Sequence, residues 1–419
     1  MWICAICVVC IIASVIFYKP YLGVVFVIVS IPFEGIIDSG YISIYPLEAI
    51  LAIFVLICIY KSIVSEYNYF GNTKLVYCCI PFVLCIMLSA VKSIELSLTV
   101  KEIVRWLELF LIYYLTINLI NDEKKMRIIL YSMVLTVAIA STYGIINYYN
   151  SVEYGTLWHR ASSLFGSPNP FAGYVNLIIP VFFGMLMASV FLWERIMLGV
   201  LAVLSIIACF LSVSRSGWLS LVLTMVLVFF LVKAKKRVLP FLAVSFALFA
   251  ITFLFSDIRD NFMDRERLQR VQSSVKYRAI CYPVGFNMVK DDLILGIGIG
   301  NYPLLITKFA NKYDNYIIQN NLHNLYFQIF VEAGLMGLSA FVFWLACTIK
   351  HLMRNLKMLE KARNYSLFVG LVGGVIVYLF NNLTEVLTVH GIHLQWGIIL
   401  GLAVVLTQFR ESETCLKKV

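Results

Sequence analysis

The sequence predicts an all-α polytopic membrane protein with 12–13 transmembrane helices and one long extracytoplasmic loop before the penultimate helices. Three observations lead there. Of 419 residues, 61% are hydrophobic and only 13% charged, against about a quarter charged in an ordinary soluble domain. The apolar residues form continuous runs approaching the ~20 residues that a membrane-crossing helix needs. They do not alternate, as the strands of a closed barrel would. A soluble enzyme, a disordered chain and a fibre are thereby excluded.

The apolar runs occupy residues 2–18, 21–37, 44–60, 75–91, 101–120, 128–149, 170–191, 196–213, 217–232, 238–256, 323–349, 365–383 and 391–409. Only Lys19-Pro20 separates the first two, so residues 1–37 read as one broken crossing or as two. No Lys or Arg precedes residues 2–17 and no small-x-small site follows them. That start is expected to be a membrane helix rather than a cleavable signal. Orientation comes from the short basic stretches 121–127, 233–237, 350–363 and the tail 410–419, with 3, 4, 5 and 3 Lys or Arg. Two or four runs separate them, so all can face one side, which the positive-inside rule makes the cytoplasm.

The chain then divides into residues 1–256, transmembrane helices with an outward loop at 150–169 and an outward turn at 214–217; a long outward loop at 257–322; C-terminal helices at 323–409; and the tail. The long loop contains nine basic and seven acidic residues, and a loop of that length escapes the charge rule. Long loops in compact proteins are usually functional. The polar chemistry is thus expected outside the cytoplasmic membrane, away from ATP and sugar nucleotides.

The net charge of +10 is explained by basic cytoplasmic loops, and no nucleic-acid partner is expected. Nine of the eleven cysteines lie inside apolar runs, where cysteine acts as a small hydrophobe. Cys4, Cys7 and Cys10 have no fourth local cysteine, so their spacing reads as packing rather than as an iron–sulfur site.

Four outward residues stand out: Arg160, Arg215, Arg278 and His323. Arg215 lies in the tight turn Ser214-Arg215-Ser216-Gly217 at the membrane boundary. Two readings are open for it: snorkelling to headgroups, or a fixed cation whose planar fork matches phosphate oxygens. Several arginines on one membrane face suggest a lipid-linked phosphate or diphosphate. His323 stands at the start of a long apolar run. It reads either as an interfacial residue at a helix end, or as a neutral imidazole able to act as general base. Glu332, nine residues on, is two to three helical turns deeper and reads as structural. Glu102, Arg105 and Glu108 recur at helical spacing as a local ion-pair ladder.

Gly296-x-Gly298-x-Gly300 is not a dinucleotide fingerprint, since its spacing is wrong, and reads as a sharp backbone turn. Asp291-Asp292 alone is weak ground for a cation, and His390 and His393 are an unsupported pair. No metal and no cofactor are expected.

These residues, in order, resemble the O-antigen ligase and polymerase superfamily of bacterial envelope glycosyltransferases. The resemblance rests on Arg160 followed by Phe165-Gly166-x-Pro168-Asn169, then Ser214-Arg215-Ser216-Gly217. Tyr277-Arg278 and Asp292 leading to Gly296-x-Gly298-x-Gly300-Asn301-Tyr302 continue it, and His323-Asn324 with Glu332-x-Gly334-x-x-Gly337 close it. It implies a GT-C-like membrane fold in the bacterial inner membrane, with the active site facing outward. It also implies glycan transfer from undecaprenyl diphosphate to an acceptor hydroxyl, on lipid A–core or on a lipid-linked glycan, without metal. Arg215 and Arg278 match the family's diphosphate-holding arginines, Arg160 a further outward arginine, and His323 the proposed base. A ligase delivers the finished polymer, whereas a polymerase extends lipid-linked repeat units; the single dominant outward loop favours the ligase. A transporter of lipid-linked oligosaccharide is the alternative outside enzymology, and the absence of paired broken helices weighs against it.

Overall fold

The computed structural model describes residues 2–33, 37–38, 43–44, 46–64, 75–153, 160–232, 278–310, 321–389 and 391–416. It is helical throughout, apart from a two-residue antiparallel pairing of Ile37–Asp38 with Ser43–Ile44. The helices are α1 (Trp2–Tyr18), α2 (Leu22–Ser30), α3 (Pro46–Val64), α4 (Ile80–Ser89), α5 (Leu96–Leu119), α6 (Glu123–Glu153), α7 (Pro168–Ala188), α8 (Leu192–Leu211) and α9 (Arg215–Leu231). Then come α10 (278–289), α11 (Tyr302–Ala310), α12 (Leu325–Leu359), α13 (Tyr365–Asn381) and α14 (Ile392–Leu416). Among the described residues, six helices are long and apolar enough to cross a membrane, and five shorter ones are apolar. The chain is a multi-pass membrane protein.

Within residues 2–33 two helices, α1 and α2, meet at Lys19-Pro20. α2 with the 3-10 turn Ile31–Phe33 covers twelve residues, ~18 Å at 1.5 Å per residue, well short of the ~30 Å hydrocarbon core. α5 has the length to cross at 24 residues, but Lys101, Glu102, Arg105 and Glu108 lie on it. The expected run at 238–256 and the basic stretch at 233–237 lie outside the described residues.

Helix α7 is the centre of the bundle, buried on nearly every side. Its most extensive partner is α13. A Cβ on Gly370 would lie 2.6 Å from the Pro180 carbonyl oxygen. Glycine here lets two backbones touch, the packing that membrane helices use in place of a hydrophobic driving force. Beside this pair, rings tie four further helices together. Phe82 of α4 meets Trp106 of α5 at 4.9 Å, and Phe110 meets Trp344 of α12 at 4.9 Å. Trp344 meets Trp396 of α14 at 5.5 Å, on which Tyr378 of α13 stacks at 4.5 Å.

The segment expected as one long loop is partly folded. α10 and α11 bury Cys281, Val284, Val289, Tyr302 and Ile306 against Val331. The turns between them lie against a break in α12. Gly334 adopts φ 65° and ψ −168°, a conformation open essentially to glycine alone. The break frees α12 backbone groups for strand-like bonds: Ile297 N–H to Val331 O at 3.0 Å, Gly298 N–H to Glu332 O at 3.0 Å and Leu335 N–H to Leu293 O at 2.8 Å. Gly296, Gly298 and Gly300 all have positive φ, as a sharp turn requires. Asn301 then pins the turn to α5, accepting from Ile94 N–H at 3.1 Å and donating to Thr99 Oγ1 at 3.1 Å.

Candidate functional site

Five helix ends converge beside α10. Ser214 caps α9 by accepting from Gly217 N–H at 3.4 Å, so the helix starts at Arg215. Asn324 caps α12, its Oδ1 accepting from Phe327 N–H at 3.0 Å, which leaves His323 just outside the helix. Pro168 opens α7 and places Asn169 in its first turn. The C-terminal end of α8 supplies Ser212 and Val213. α13 ends at Asn381, and Asn382 shapes the loop that follows, with its Oδ1 taking Leu387 N–H at 2.8 Å and its carbonyl taking Leu325 N–H at 3.0 Å.

That loop presents Glu385, whose side chain is only 8% exposed. Its Oε1 accepts from Arg278 Nη2 at 2.7 Å and from Asn169 Nδ2 at 2.8 Å. Its Oε2 lies 3.2 Å from His323 Nδ1. Asn169 Oδ1 in turn accepts from Arg160 Nη2 at 3.0 Å. One carboxylate therefore joins three of the four residues singled out in the sequence.

Arg215 belongs to the same place by its charge. It is exposed, and among the described residues it makes no hydrogen bond or ion pair, yet it lies near enough to Arg278 for the two charges to repel. An anion between two such guanidinium groups would relieve that repulsion.

Arg160 is used differently. Its Nε donates to Ser212 O at 2.9 Å and its Nη2 also reaches Val213 O at 3.3 Å. Val213 has φ 53°, a genuine outlier for a β-branched residue. Arg160 thus braces the strained turn immediately before Arg215. His323 has φ 52° as well, so strained backbone flanks both Arg215 and α12.

An ionised carboxylate can only accept, so with Nδ1 facing Glu385 the imidazole proton belongs on Nδ1. The lone pair is then on Nε2, the nitrogen pointing away from the carboxylate. A carboxylate that fixes the tautomer of a base in this way is a recurrent catalytic arrangement.

Other polar residues are structural. Glu332 accepts from Tyr302 N–H at 3.2 Å, holding the glycine turn. Asp292 pairs with Lys92 at 2.8 Å and accepts from Leu295 N–H at 3.1 Å. The Lys92 ammonium, followed by that N–H, holds the Asp292 carboxyl below the usual carboxylate range. Arg105 and Glu102 pair at 2.5 Å, while Glu108 lies 3.9 Å from His393. Tyr277, His159 and His390 lie outside the described residues. Among the described residues, no group of three or more His, Cys, Asp or Glu could hold a metal ion.

Sequence reasoning missed Glu385 and gave Asn169 no role. The available signal was Asn381-Asn382-Leu383-Thr384-Glu385, a polar run with a carboxylate wedged between two apolar runs, where an ionisable group is costly unless used.

A multi-pass membrane protein with arginines and a His–Glu pair gathered where several helices end is the class these features define. The family model described as O-Antigen ligase matches residues 200–342, bearing out over that stretch the resemblance carried by the motifs. This third of the chain includes Arg215, Arg278 and His323, and leaves Arg160, Asn169 and Glu385 outside it. No curated protein matches the chain.

Proposed function

We propose that the chain is a membrane glycosyltransferase of the O-antigen ligase type. It transfers a glycan en bloc from undecaprenyl diphosphate to an acceptor hydroxyl on lipid A–core, without metal, at the outer face of the bacterial inner membrane. The observation that carries this reading is the buried Glu385 carboxylate, which joins Arg278 at 2.7 Å to His323 at 3.2 Å, with exposed Arg215 near enough to Arg278 for their charges to repel. Two guanidinium groups suit a diphosphate, and an oriented imidazole suits removal of a hydroxyl proton.

In the reaction, the acceptor hydroxyl gives its proton to His323 Nε2 while its oxygen forms a new bond to the anomeric carbon. The bond from that carbon to the diphosphate oxygen breaks on the opposite face, and its electron pair leaves with undecaprenyl diphosphate. Configuration inverts. Arg215 and Arg278 stabilise the charge growing on the leaving group, where preorganised donors act most strongly. Glu385 orients His323 and stabilises its imidazolium. Arg160 is a positioning residue, supporting the turn that presents Arg215.

A polymerase would need the same grip and the same base; the single long segment before His323 favours the ligase. The test is reconstitution in liposomes with a lipid-linked glycan and both acceptors. Glycan on lipid A–core is the expected product. Longer lipid-linked chains would make the protein a polymerase. Donor that crosses the bilayer with its sugar–phosphate bond intact would make it a transporter.

A further inference from the structure

The bundle has a second place where unsatisfied cations gather. α7 and α13 each run from the candidate site to the other end of the bundle, where their remote ends meet the starts of α6 and α8 around a cavity of about 100 Å³. Glu123, Arg127, Tyr131, Glu194, Arg363 and Asn364 provide its polar lining.

The carboxylates there are already engaged. Glu194 accepts from the hydroxyls of Tyr131 and Ser189, and Glu123 lies 3.5 Å from Asn364 Nδ2. Neighbouring Arg195 is engaged too, donating Nε and Nη2 to the Ser189 carbonyl at 3.0 and 2.7 Å. Arg127 and Arg363 are not. Both are exposed, and among the described residues neither makes a hydrogen bond or an ion pair. Asn364 also makes no side-chain cap to α13, whose positively polarised first turn reaches the cavity at Leu367. The charged side chains left without a hydrogen-bond partner there are therefore the two guanidinium groups.

Its rim is apolar. Val190, Phe191, Leu192 and Trp193 are consecutive and 64%, 61%, 70% and 65% exposed. Such a run suits the acyl region, with the tryptophan at the interface. Exposed Lys124 and Lys361 add positive charge nearby.

We propose that this cavity binds the headgroup phosphate of an anionic phospholipid, held by Arg127 and Arg363, with residues 190–193 against its acyl chains. The free donors of Arg127 and Arg363, with Lys124 and Lys361 beside them, select an anion, and the adjoining apolar run selects a lipid over a soluble phosphate. The proposal is independent of the glycan-transfer reading.

Native mass spectrometry tests it, on protein released from nanodiscs that mix phosphatidylcholine with phosphatidylglycerol. The wild type should retain phosphatidylglycerol selectively. The Arg127→Ala/Arg363→Ala double variant should lose ~10- to 30-fold in retention, since each basic residue near a lipid surface is worth about 1 kcal/mol. Arg127→Lys/Arg363→Lys should keep most of it, which separates lost charge from lost folding. Undiminished retention in the alanine variant overturns the proposal. Equal competition by inorganic phosphate also overturns it, because the ligand would then be a free anion.

Discussion

Glu332 and Glu385 are both buried carboxylates close to α12, and their surroundings separate structure from chemistry. Glu332 faces inward and receives backbone N–H from Tyr302, so it closes a joint between the glycine turn and a broken helix. Glu385 receives only side chains: an arginine, an asparagine and a histidine from three distant segments. A carboxylate that holds the backbone of a neighbouring turn fixes a fold. One that gathers titratable and cationic side chains, beside an arginine with no partner among the described residues, organises a reaction.

The largest expected effect falls on the Glu385 side. Glu385→Gln keeps size and an acceptor but removes the charge that fixes the imidazole tautomer, and His323→Ala removes the base. Each should lower kcat per folded molecule by ~10²- to 10⁴-fold in the reconstituted transfer assay. The double variant should be little worse than either single one, because residues acting as a unit are not additive. Multiplying losses would separate Glu385 from His323.

Next come effects on the joint that Glu332 closes. A Cβ at Gly334 would lie 2.1 Å from the Ile294 carbonyl oxygen. Gly334→Ala should therefore cost about 3 kcal/mol or more and lower the unfolding temperature measured in detergent. Glu332→Ala leaves the Tyr302 N–H without its acceptor, about 1–3 kcal/mol. Its folded fraction should still transfer glycan, in contrast to Glu385→Gln; loss of transfer at full stability would erase the distinction between the two carboxylates.

The smallest effect concerns Asp292. Its carboxyl is held low by Lys92, so the pairing contributes stability above the ordinary carboxylate pKa of ~3.9 and loses it as pH falls through the lower folded value. Asp292→Asn should flatten that acid limb of the stability profile, and added salt should mimic it in the wild type. An unchanged acid limb would remove the pairing from the joint.

How much was legible follows from what lipid demands. An apolar run in a bilayer must satisfy its own backbone, so it is helical. Twelve of the thirteen runs overlap helices, and the other, 238–256, lies outside the described residues. The folded segment of α10 and α11 was not legible, because its apolar residues are too interspersed with polar ones to mark a span. Its core closes only against the start of α12, through Val331, Phe327 and Phe330. In the site, arginines and a histidine attract notice by type and motif. Glu385 does not, since its importance lies in partners 62 to 216 residues away in sequence.

Single-turnover transfer from an undecaprenyl-diphosphate-linked glycan, in liposomes containing the acceptor, measures the arginine grip most directly. Arg215→Ala and Arg278→Ala should each slow it by ~10²- to 10³-fold per folded molecule, and lysine at either position should restore part of the rate. Wild-type rates in both alanine variants would contradict a diphosphate held between these two residues.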